Sequence, residues 1–373
     1  MDNTIHDAQR LKELQALPLE RKVQITQNRI QEWYMHYNGS VFISFSGGKD
    51  STVLVHLARQ LFPDIPLVFS NTGLEYTAIQ QFAKEFGAYF IYPKITFDNI
   101  ISTYGYPMIS KEVGEAIHYA RQIYASNQSV GKTTLKKRLE LQGNRVDSLQ
   151  SDEDQINSIK SRFNKEKWYN IATEAPFLIS HYCCTIMKKL PMKSYQRANK
   201  RFPIFGTLAT ESAMRKQAWI RHGCNAFHTE MPRSQPMSFW TEQDVLSFIK
   251  LSGIKIADVY GDIVPVENER GCHLECTGCS RTGCVFCGFG THQKSDNRFL
   301  TLANQDPRKY EYAMNGGQWV DNPKYDPTAP KYDGVWKNWN PKKIWVPSKE
   351  GLGLKKVFEM FNELYPANKI KYE

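Results

Sequence analysis

The stretch that decides the fold occupies residues 41–57 and reads VFISFSGGKDSTVLVHL. Its first five residues are aromatic or β-branched apart from one serine, which predicts a short buried strand. From Thr52 to Leu61 the apolar residues recur at helical spacing, which predicts a helix. Residues 46–51 join the two with the sequence SGGKDS. The stretch therefore predicts a strand, a glycine-rich turn and a helix in direct succession.

The turn carries the residue types that bind a phosphate group. Gly47 and Gly48 let the backbone adopt positive φ, so that successive N–H groups point toward one anion. The following helix presents its free N–H groups and the positive end of its dipole at the same point. Ser46 and Ser51 add hydroxyl donors, and Lys49 supplies a positive charge. An ordinary glycine-rich turn would not need serine and lysine at these positions, so we predict a phosphate-binding loop.

Asp50 is the one residue of this loop that would repel a phosphate. Its carboxylate is explained if it faces a magnesium ion, because Mg²⁺ takes oxygen ligands and accompanies nucleotide phosphates. The alternative is that Asp50 only caps the start of the helix.

Strands and helices alternate on either side of this stretch. We predict further strands over 67–70, 89–92 and 202–206, and helices over about 75–86 and within 5–37. Such alternation is typical of an α/β fold with a parallel twisted sheet flanked by helices.

The chain divides into three predicted regions. Residues 1–40 form N-terminal helices, 41–260 form the domain of the phosphate loop, and 261–373 form a C-terminal region with a cysteine cluster and many aromatic and basic residues. Within the second region, residues 112–170 are polar and dense in charge without a strand pattern, which predicts a helical insertion.

Charge and composition narrow the function classes. The 373 residues include 48 Lys and Arg against 38 Asp and Glu, which gives a formal net charge of +10. Hydrophobic residues make up 41%, an ordinary globular proportion that excludes disorder throughout. No apolar run approaches the ~20 residues of a membrane span, and residues 1–7 contain no apolar signal core, so we expect a cytoplasmic protein without a membrane partner. The charge weakly favours a nucleotide or nucleic-acid partner, and solubility alone is the alternative explanation.

The eight cysteines are clustered, which indicates metal ligation rather than a disulfide scaffold. Two of them, Cys183 and Cys184, are adjacent. Five more fall within a short segment, namely Cys272, Cys276, Cys279, Cys284 and Cys287. One hypothesis uses only this local set, in which the first three and one of the last two hold Zn²⁺ or a self-contained cluster.

The SGGKDS loop resembles the PP-loop of the N-type ATP pyrophosphatase superfamily, which includes the phosphoadenylyl-sulfate (PAPS) and adenylyl-sulfate reductases. The resemblance continues in consistent order through NTGLE at 71–75, SKE at 110–112, CCTIMKKLPM at 183–192, and the elements at 206–215 and 236–244. It implies membership of the PAPS reductase family and an adenine nucleotide alpha hydrolase-like fold.

The resemblance also implies an activity and a set of residues. Members typically bind ATP with Mg²⁺ and cleave it between the α- and β-phosphates. Lys49 would then stabilise charge on the leaving phosphates, Asp50 would face Mg²⁺, and Arg215 would complete an anion clamp. The implied nucleotide-binding residues are Ser46, Gly47, Gly48, Lys49 and Ser51 of the loop, with Thr72, Gly73, Glu75, Lys111, Lys188, Glu211 and Ser212.

For the cysteines, the resemblance supplies a second hypothesis. The sequence GCVFC at 283–287, preceded by SRT, resembles the Ser-x-Gly-Cys-x-x-Cys of iron–sulfur adenylyl-sulfate reductases. By that resemblance, one [4Fe–4S] cluster is held by Cys183, Cys184, Cys284 and Cys287. This ligand set accounts for the adjacent pair, which the local Zn²⁺ hypothesis leaves unused.

One departure from the reductases decides our functional prediction. They attack the substrate sulfur with a cysteine in a carboxy-terminal tail, whereas this chain ends in NKIKYE and has no cysteine after Cys287. Lysine or tyrosine cannot replace a thiolate nucleophile in that reaction.

We therefore favour an ATP pyrophosphatase or sulfurtransferase-type enzyme that adenylates an acceptor in sulfur transfer or nucleic-acid modification. DNA or tRNA and a partner subunit are the candidate partners. One alternative is a PAPS or adenylyl-sulfate reductase that uses an external thiol. The other is a non-catalytic subunit that binds a nucleotide or a nucleic acid.

Overall fold

The computed structural model describes residues 6–122, 137–138, 140, 166–268, 271–332 and 336–373. The chain forms two compact units, each assembled from two segments. The first comprises Met1–Lys94 and Lys188–Cys284, and the second comprises Ile95–Met187 and Val285–Glu373. The division of the sequence into three regions stays a prediction.

The strands of the described residues are β1 (Val41–Ser44), β2 (Leu67–Ser70), β3 (Tyr89–Ile91), β4 (Met108–Ile109), β5 (Phe202–Phe205), β6 (Asn225–Ala226), β7 (Arg233–Ser234), β8 (Ile263–Asn268), β9 (Gly271–Cys276), β10 (Gly288–Phe289), β11 (Gln318–Asp321) and β12 (Lys343–Val346). The α-helices there are α1 (Ala8–Gln15), α2 (Leu19–His36), α3 (Lys49–Leu61), α4 (Thr77–Glu85), α5 (Phe97–Thr103), α6 (Lys111–Ala120), α7 (Tyr169–Glu174), α8 (Leu190–Asn199), α9 (Ala213–His222), α10 (Glu242–Ser252), α11 (Arg298–Gln305), α12 (Pro307–Met314) and α13 (Leu354–Leu364).

The first unit is built on a six-stranded sheet in the order β3-β2-β1-β5-β7-β6. Neighbouring strands are parallel except β6 and β7, which are antiparallel. The apolar side chains of β1 form the centre of the core, because Val41, Phe42 and Ile43 have no exposed surface. The predicted α/β fold with a parallel sheet and flanking helices is confirmed. Strands β1, β2, β3 and β5 lie where the sequence predicts them, whereas β6 and β7, of two residues each, were not predicted.

The helix after β1 starts earlier than its apolar pattern predicts. It begins at Lys49 rather than Thr52, because Gly48 takes the extended conformation of an N-cap. The buried face of α3 includes Val53, Leu54 and Leu57, and α2 and α10 pack against this helix. The phosphate loop is thus fixed between a buried strand and a buried helix.

A hairpin in the first unit was not predicted. Strands β8 and β9 pair antiparallel, with Ile263 opposite Cys276. Strand β9 reads GCHLEC and therefore contains Cys272 as well. Its glycine, cysteines, histidine and glutamate give little of the apolar alternation by which a strand is recognised in sequence.

The second unit contains two small sheets and the remaining helices. Strand β4 pairs with β10 in parallel, and β11 pairs with β12 antiparallel. Arg121 is buried there and donates to the carbonyl oxygens of Ala172, Phe177 and Ile171 at 2.6, 2.6 and 2.7 Å. Burial lowers the pKa of Arg121 to about 9. These hydrogen bonds replace the water that the guanidinium loses on folding.

Most of the predicted helical insertion at 112–170 lies outside the described residues. Its described parts include most of α6, a 3₁₀ turn at Glu166–Trp168 and the start of α7. None of the described helices combines the length and the apolar composition that crossing a bilayer requires.

Candidate functional site

The loop between β1 and α3 approaches its neighbours closely at two glycines. Gly47 has φ of +69°, and a Cβ atom there would lie 2.8 Å from Cγ2 of Ile79. A Cβ atom at Gly48 would lie 3.2 Å from the hydroxyl oxygens of both Ser46 and Tyr260. Because both positions lack side-chain atoms, a ligand can approach the backbone N–H groups of the loop closely.

The serine hydroxyls of the loop meet at the start of α3. Ser46 Oγ lies 3.0 Å from Ser51 Oγ and accepts a hydrogen bond from the Gly48 N–H at 3.3 Å. Ser51 and Thr52 both donate to the Gly48 carbonyl oxygen, at 2.9 and 3.0 Å. The structure thus brings the two predicted hydroxyl donors together and holds the loop in one conformation.

Lys49 is the buried cation of the site, with only 4% of its surface exposed. Its Nζ lies 3.0 Å from Glu242 Oε1 and donates to the Ser280 carbonyl at 2.9 Å. Its backbone N–H donates to the Tyr260 hydroxyl at 3.2 Å. Burial by itself would lower the pKa of Lys49, but the charges of Asp50 and Glu242 outweigh it and raise the pKa above its usual value. Lys49 is therefore charged at neutral pH.

Asp50 has an oxygen that the protein leaves unsatisfied. Burial raises the pKa of Asp50, although the charge of Lys49 opposes the shift. Among the described residues, no group donates a hydrogen bond to Asp50 Oδ1, which is buried. A buried carboxylate oxygen without a hydrogen bond suits a Mg²⁺ ion that accompanies a nucleotide. The carboxylate of Glu242 is close enough for its charge to raise the pKa of Asp50, and it would offer further oxygen ligands.

Arg215 is positioned by residues at the start of its own helix, α9. Ser212 caps α9 and accepts the Arg215 N–H at 3.2 Å, while Glu211 accepts the Leu208 N–H at 3.0 Å and forms an ion pair with Arg215. Burial lowers the pKa of Arg215, and the charge of Asp50 opposes that shift. Glu211 and Ser212 were predicted to bind the nucleotide. In the structure their side chains contact Arg215, and Glu211 also lines the larger cavity described below, so their contact with the nucleotide stays a prediction.

The loop that follows β2 contains the next group of predicted residues. Glu75 is buried and accepts hydrogen bonds from the Thr72 N–H at 3.2 Å and the Thr72 hydroxyl at 2.7 Å. Gly73 has φ of +75°, and its N–H donates to the Asn71 side-chain oxygen at 3.0 Å. Lys188 Nζ lies 3.7 Å from Glu75 Oε1. The polar groups of this loop therefore bond largely to one another.

Two adjoining cavities open at the carboxyl end of β1. The larger, of about 860 Å³, is lined by the phosphate loop, Arg215, Glu242, Tyr260 and Arg281. The smaller, of about 560 Å³, is lined by apolar and basic residues that include Phe45, Phe69, Phe205, Lys188, Lys189, Lys193 and Arg233. Ser44, Ser46, Lys188, Phe205 and Thr282 line both cavities. Strand β1 pairs with β2 on one side and β5 on the other, and ligands of open α/β sheets bind at such a switch point.

The residues of the larger cavity that were not predicted as site residues include Glu242, Tyr260, Arg281 and Thr282. Glu242 lies in the element at 236–244, and Arg281 and Thr282 precede the cysteine motif. The Tyr260 hydroxyl lies 2.6 Å from Thr282 Oγ1 and connects this segment to Lys49. No local sequence signal identifies Tyr260, because its role depends on a distant part of the chain.

Lys111 belongs to the second unit. It is the first residue of α6, is exposed, and follows Ser110, whose hydroxyl caps the helix by accepting the Val113 N–H at 3.1 Å. Its predicted contact with the nucleotide stays a prediction.

The predicted metal ligands are distributed between the units. Cys183, Cys184 and Cys287 belong to the second unit, and Cys284 is the last residue of the first. Cys272, of the local set, is exposed on β9, while Cys279 is buried and hydrogen-bonds with Tyr76. Across the described residues, which include all eight cysteines, no three or more His, Cys, Asp or Glu form a group that could hold a metal ion. Both ligand sets stay predictions from sequence.

Comparisons with known proteins indicate the family of this chain. A family model described as the phosphoadenosine phosphosulfate reductase domain matches residues 40–98 and 132–288, more than half of the chain. An uncharacterized protein of Methanocaldococcus jannaschii is 37% identical over 68 residues, which are 18% of this chain and 16% of that protein. The crystal structure of a PAPS reductase from Candida auris, in a phosphate complex, is similar with a TM-score of 0.33 and 9% identity over 68% of this chain and 90% of that one.

Proposed function

The chain belongs to the phosphoadenosine phosphosulfate reductase domain family, and from this premise we propose that it binds an adenine nucleotide at the phosphate loop. The favoured ligand is ATP with Mg²⁺, cleaved between the α- and β-phosphates so that an acceptor becomes adenylated. The observation that carries the proposal is the convergence of a glycine-rich loop, a helix N-terminus and the buried Lys49 on one cavity.

Each part of the loop has a role in this reaction. An acceptor oxygen attacks the α-phosphorus, the bond to the bridging oxygen of the β-phosphate breaks, and the electron pair leaves with pyrophosphate. The N–H groups at the start of α3 and the ammonium of Lys49 stabilise the charge that develops on the leaving phosphates. Such catalysis is electrostatic and requires no covalent intermediate with the protein.

Arginines supply the rest of the positive charge. Arg215 and Arg281 both line the larger cavity, and the carboxylate of Asp50 lies within the electrostatic reach of both. Asp50 would hold Mg²⁺, which supplies further neutralisation of phosphate charge when bound. The smaller cavity, with Phe45, Phe69 and Phe205, has the apolar lining that suits an adenine ring.

A second candidate ligand is PAPS or adenylyl sulfate, reduced with an external thiol. The observation that favours it is the group of basic residues in the smaller cavity, Lys188, Lys189, Lys193 and Arg233, which exceeds what an adenine ring needs. This candidate predicts sulfite release from PAPS in the presence of thioredoxin or dithiothreitol. Absence of sulfite, combined with pyrophosphate release from ATP, would exclude it.

ATP–pyrophosphate exchange tests the main proposal. Labelled pyrophosphate enters ATP only if the bond between the α- and β-phosphates is broken reversibly, and candidate acceptors (tRNA, DNA, sulfate and small acids) are screened in turn. Arg215→Ala is expected to slow exchange about 10- to 100-fold, because it removes one charge from the cavity. Arg221→Ala, on an exposed position of the same helix, is the matched control. ATP binding without exchange for any acceptor would leave a nucleotide-binding subunit as the function.

The cysteines require a separate test. The [4Fe–4S] hypothesis predicts about four irons and four sulfides per chain after anaerobic purification, with loss of both in Cys184→Ser and retention in Cys272→Ser. The Zn²⁺ hypothesis predicts the reverse pattern for these two variants, with zinc in place of iron.

A further inference from the structure

Helix α8 is basic and open to solvent. Residues 188–201, which contain this helix, include six lysines and arginines and no aspartate or glutamate. None of the ten residues of α8 is buried, although the helix lies beside the edge strand β3 of the sheet. Its outer face, which includes Ser194, Arg197 and Ala198, is exposed among the described residues and is therefore available to a partner.

Four of these basic residues form one stripe. Lys193 and Arg197 are four residues apart on α8 and therefore lie on the same face of this helix. Lys189 directly precedes the helix and Lys200 directly follows it, so the four charges follow one another along its length. The stripe is about 16 Å long at 1.5 Å per residue. Among the described residues, no carboxylate forms an ion pair with any of the four. Like charges in a row repel one another, so an uncompensated stripe of this kind is stabilised by an anionic ligand that contacts several of them.

The stripe begins inside the candidate active site. Lys189 and Lys193 line the smaller cavity together with Gln196, which is one turn further along α8. Arg197 and Lys200 continue the stripe beyond the residues that line this cavity and are exposed. A nucleotide in the cavity would reach only the first two charges. The other two require a longer polyanion that extends from the cavity along the helix.

An exposed aromatic ring flanks the same helix. Tyr89 on β3 is 62% exposed, and its ring centroid lies 5.7 Å from that of Tyr195 of α8. Tyr195 packs edge-on against Phe42 of β1, with centroids 5.1 Å apart, which attaches the helix to the sheet. Tyr89 is therefore held beside the basic helix with most of its ring available for stacking.

We propose that the stripe Lys189–Lys193–Arg197–Lys200 and the ring of Tyr89 bind a single-stranded segment of nucleic acid and lead it to the cavity as the acceptor. Lysines and arginines in a row contact successive phosphates, and an exposed aromatic ring stacks on a base. The binding surface stands on its own observations, whereas the acceptor role rests on the proposed adenylating function.

Fluorescence anisotropy with a labelled single-stranded oligonucleotide tests the surface at several salt concentrations. The double variant Arg197→Gln/Lys200→Asn removes the outer half of the stripe, and asparagine is chosen because Lys200 has φ of +48°. The slope of log K against log salt should fall in magnitude by about 1.4, because each lost contact with a single strand accounts for about 0.7. Lys12→Gln/Lys250→Gln removes two exposed charges elsewhere in the same unit and should leave the slope unchanged.

The tyrosines provide a matched pair for stacking. Tyr89→Ala should weaken oligonucleotide binding about fivefold or more. Tyr92 is 63% exposed and serves as the control. It follows the end of β3 and lies near Phe90, whose side chain is on the opposite face of the sheet from that of Tyr89. Tyr92→Ala should therefore change oligonucleotide binding little. An equal effect of both variants, or stronger binding of duplex than of single strand, would overturn the proposal, as would a salt slope equal to that of the charge control.

ATP affinity, measured on the same variants, separates this proposal from the proposed function. Arg197→Gln/Lys200→Asn should bind ATP like the unchanged protein, because neither residue lines the cavities. If ATP does not bind at all, the proposed function fails while the oligonucleotide results still decide the surface. If ATP binds and exchanges but the oligonucleotide does not bind, the nucleic-acid surface is wrong and the adenylating function stands.

Discussion

The loops that follow β1 and β2 lie at neighbouring strand ends but use their polar groups differently. After β1, Lys49 and the backbone N–H groups at the start of α3 are directed to a cavity, and a carboxylate oxygen of Asp50 is left unsatisfied. After β2, Glu75 accepts two hydrogen bonds from Thr72, so the loop satisfies most of its own polar groups. In the proposed function the first loop binds the ligand, whereas Glu75 of the second loop lines the smaller cavity.

The difference in hydrogen bonding between the two loops affects the stability of the fold. Buried polar groups that are mutually hydrogen-bonded stabilise the fold, whereas unsatisfied ones cost stability until a ligand arrives. Substitutions of polar side chains in the loop after β1 should therefore reduce activity more than stability, and substitutions of polar side chains after β2 should do the reverse.

The largest difference in activity is expected between variants of two lysines. Lys49→Ala should lower the rate of pyrophosphate release about 100- to 1,000-fold, because it removes a buried charge from the site of the leaving phosphates. Lys188→Ala should have a far smaller effect, because that side chain is 41% exposed and solvent screens its charge. Steady-state rates of both variants, with thermal unfolding as a check of the fold, measure the contrast. Equal losses would contradict this and show that the two lysines share the phosphate charge.

The sequence predicts those parts of the site whose geometry is set by residues adjacent in the chain. The SGGKDS turn has its geometry set by adjacent glycines and by a helix that starts at once, so Ser46, Lys49 and Ser51 come together as expected. Tyr260 and Glu242 reach Lys49 from more than 190 residues away in the chain, and no pattern in a single sequence encodes that approach. The fold was predictable because strand and helix periodicities are strong between 41 and 92.

Two glycines with similar φ give the next contrast. Gly47→Ala should destabilise the protein by about 2 to 4 kcal/mol, because its Cβ meets Ile79 at 2.8 Å in addition to the strain of positive φ. Gly73→Ala should cost only about 1 kcal/mol, since no atom lies within 4 Å of its Cβ position. Urea unfolding of the two variants separates the steric contribution from the conformational one. A similar loss in both would mean that backbone strain alone decides the cost.

The smallest difference is expected between the melting temperatures of variants of two carboxylates, and it depends on pH. The raised pKa of Asp50 means that its protonated form stabilises the fold at acid pH and that this contribution is lost as the pH rises through the raised pKa. Asp50→Asn should therefore raise the melting temperature at neutral pH, by an amount that shrinks as the solution is acidified, while activity is lost. Glu75→Gln should instead lower the melting temperature, because a hydrogen-bond acceptor shared by two Thr72 donors is weakened. Differential scanning fluorimetry across pH would contradict this account if both variants shifted in the same direction.

The identity of the products formed from ATP tests the central claim most directly. The protein, incubated with ATP, Mg²⁺ and an acceptor, should yield pyrophosphate together with AMP or an adenylated acceptor, and Lys49→Ala should yield neither. Formation of ADP and inorganic phosphate by the unchanged protein would place the cleavage at the wrong phosphate and contradict the proposed function.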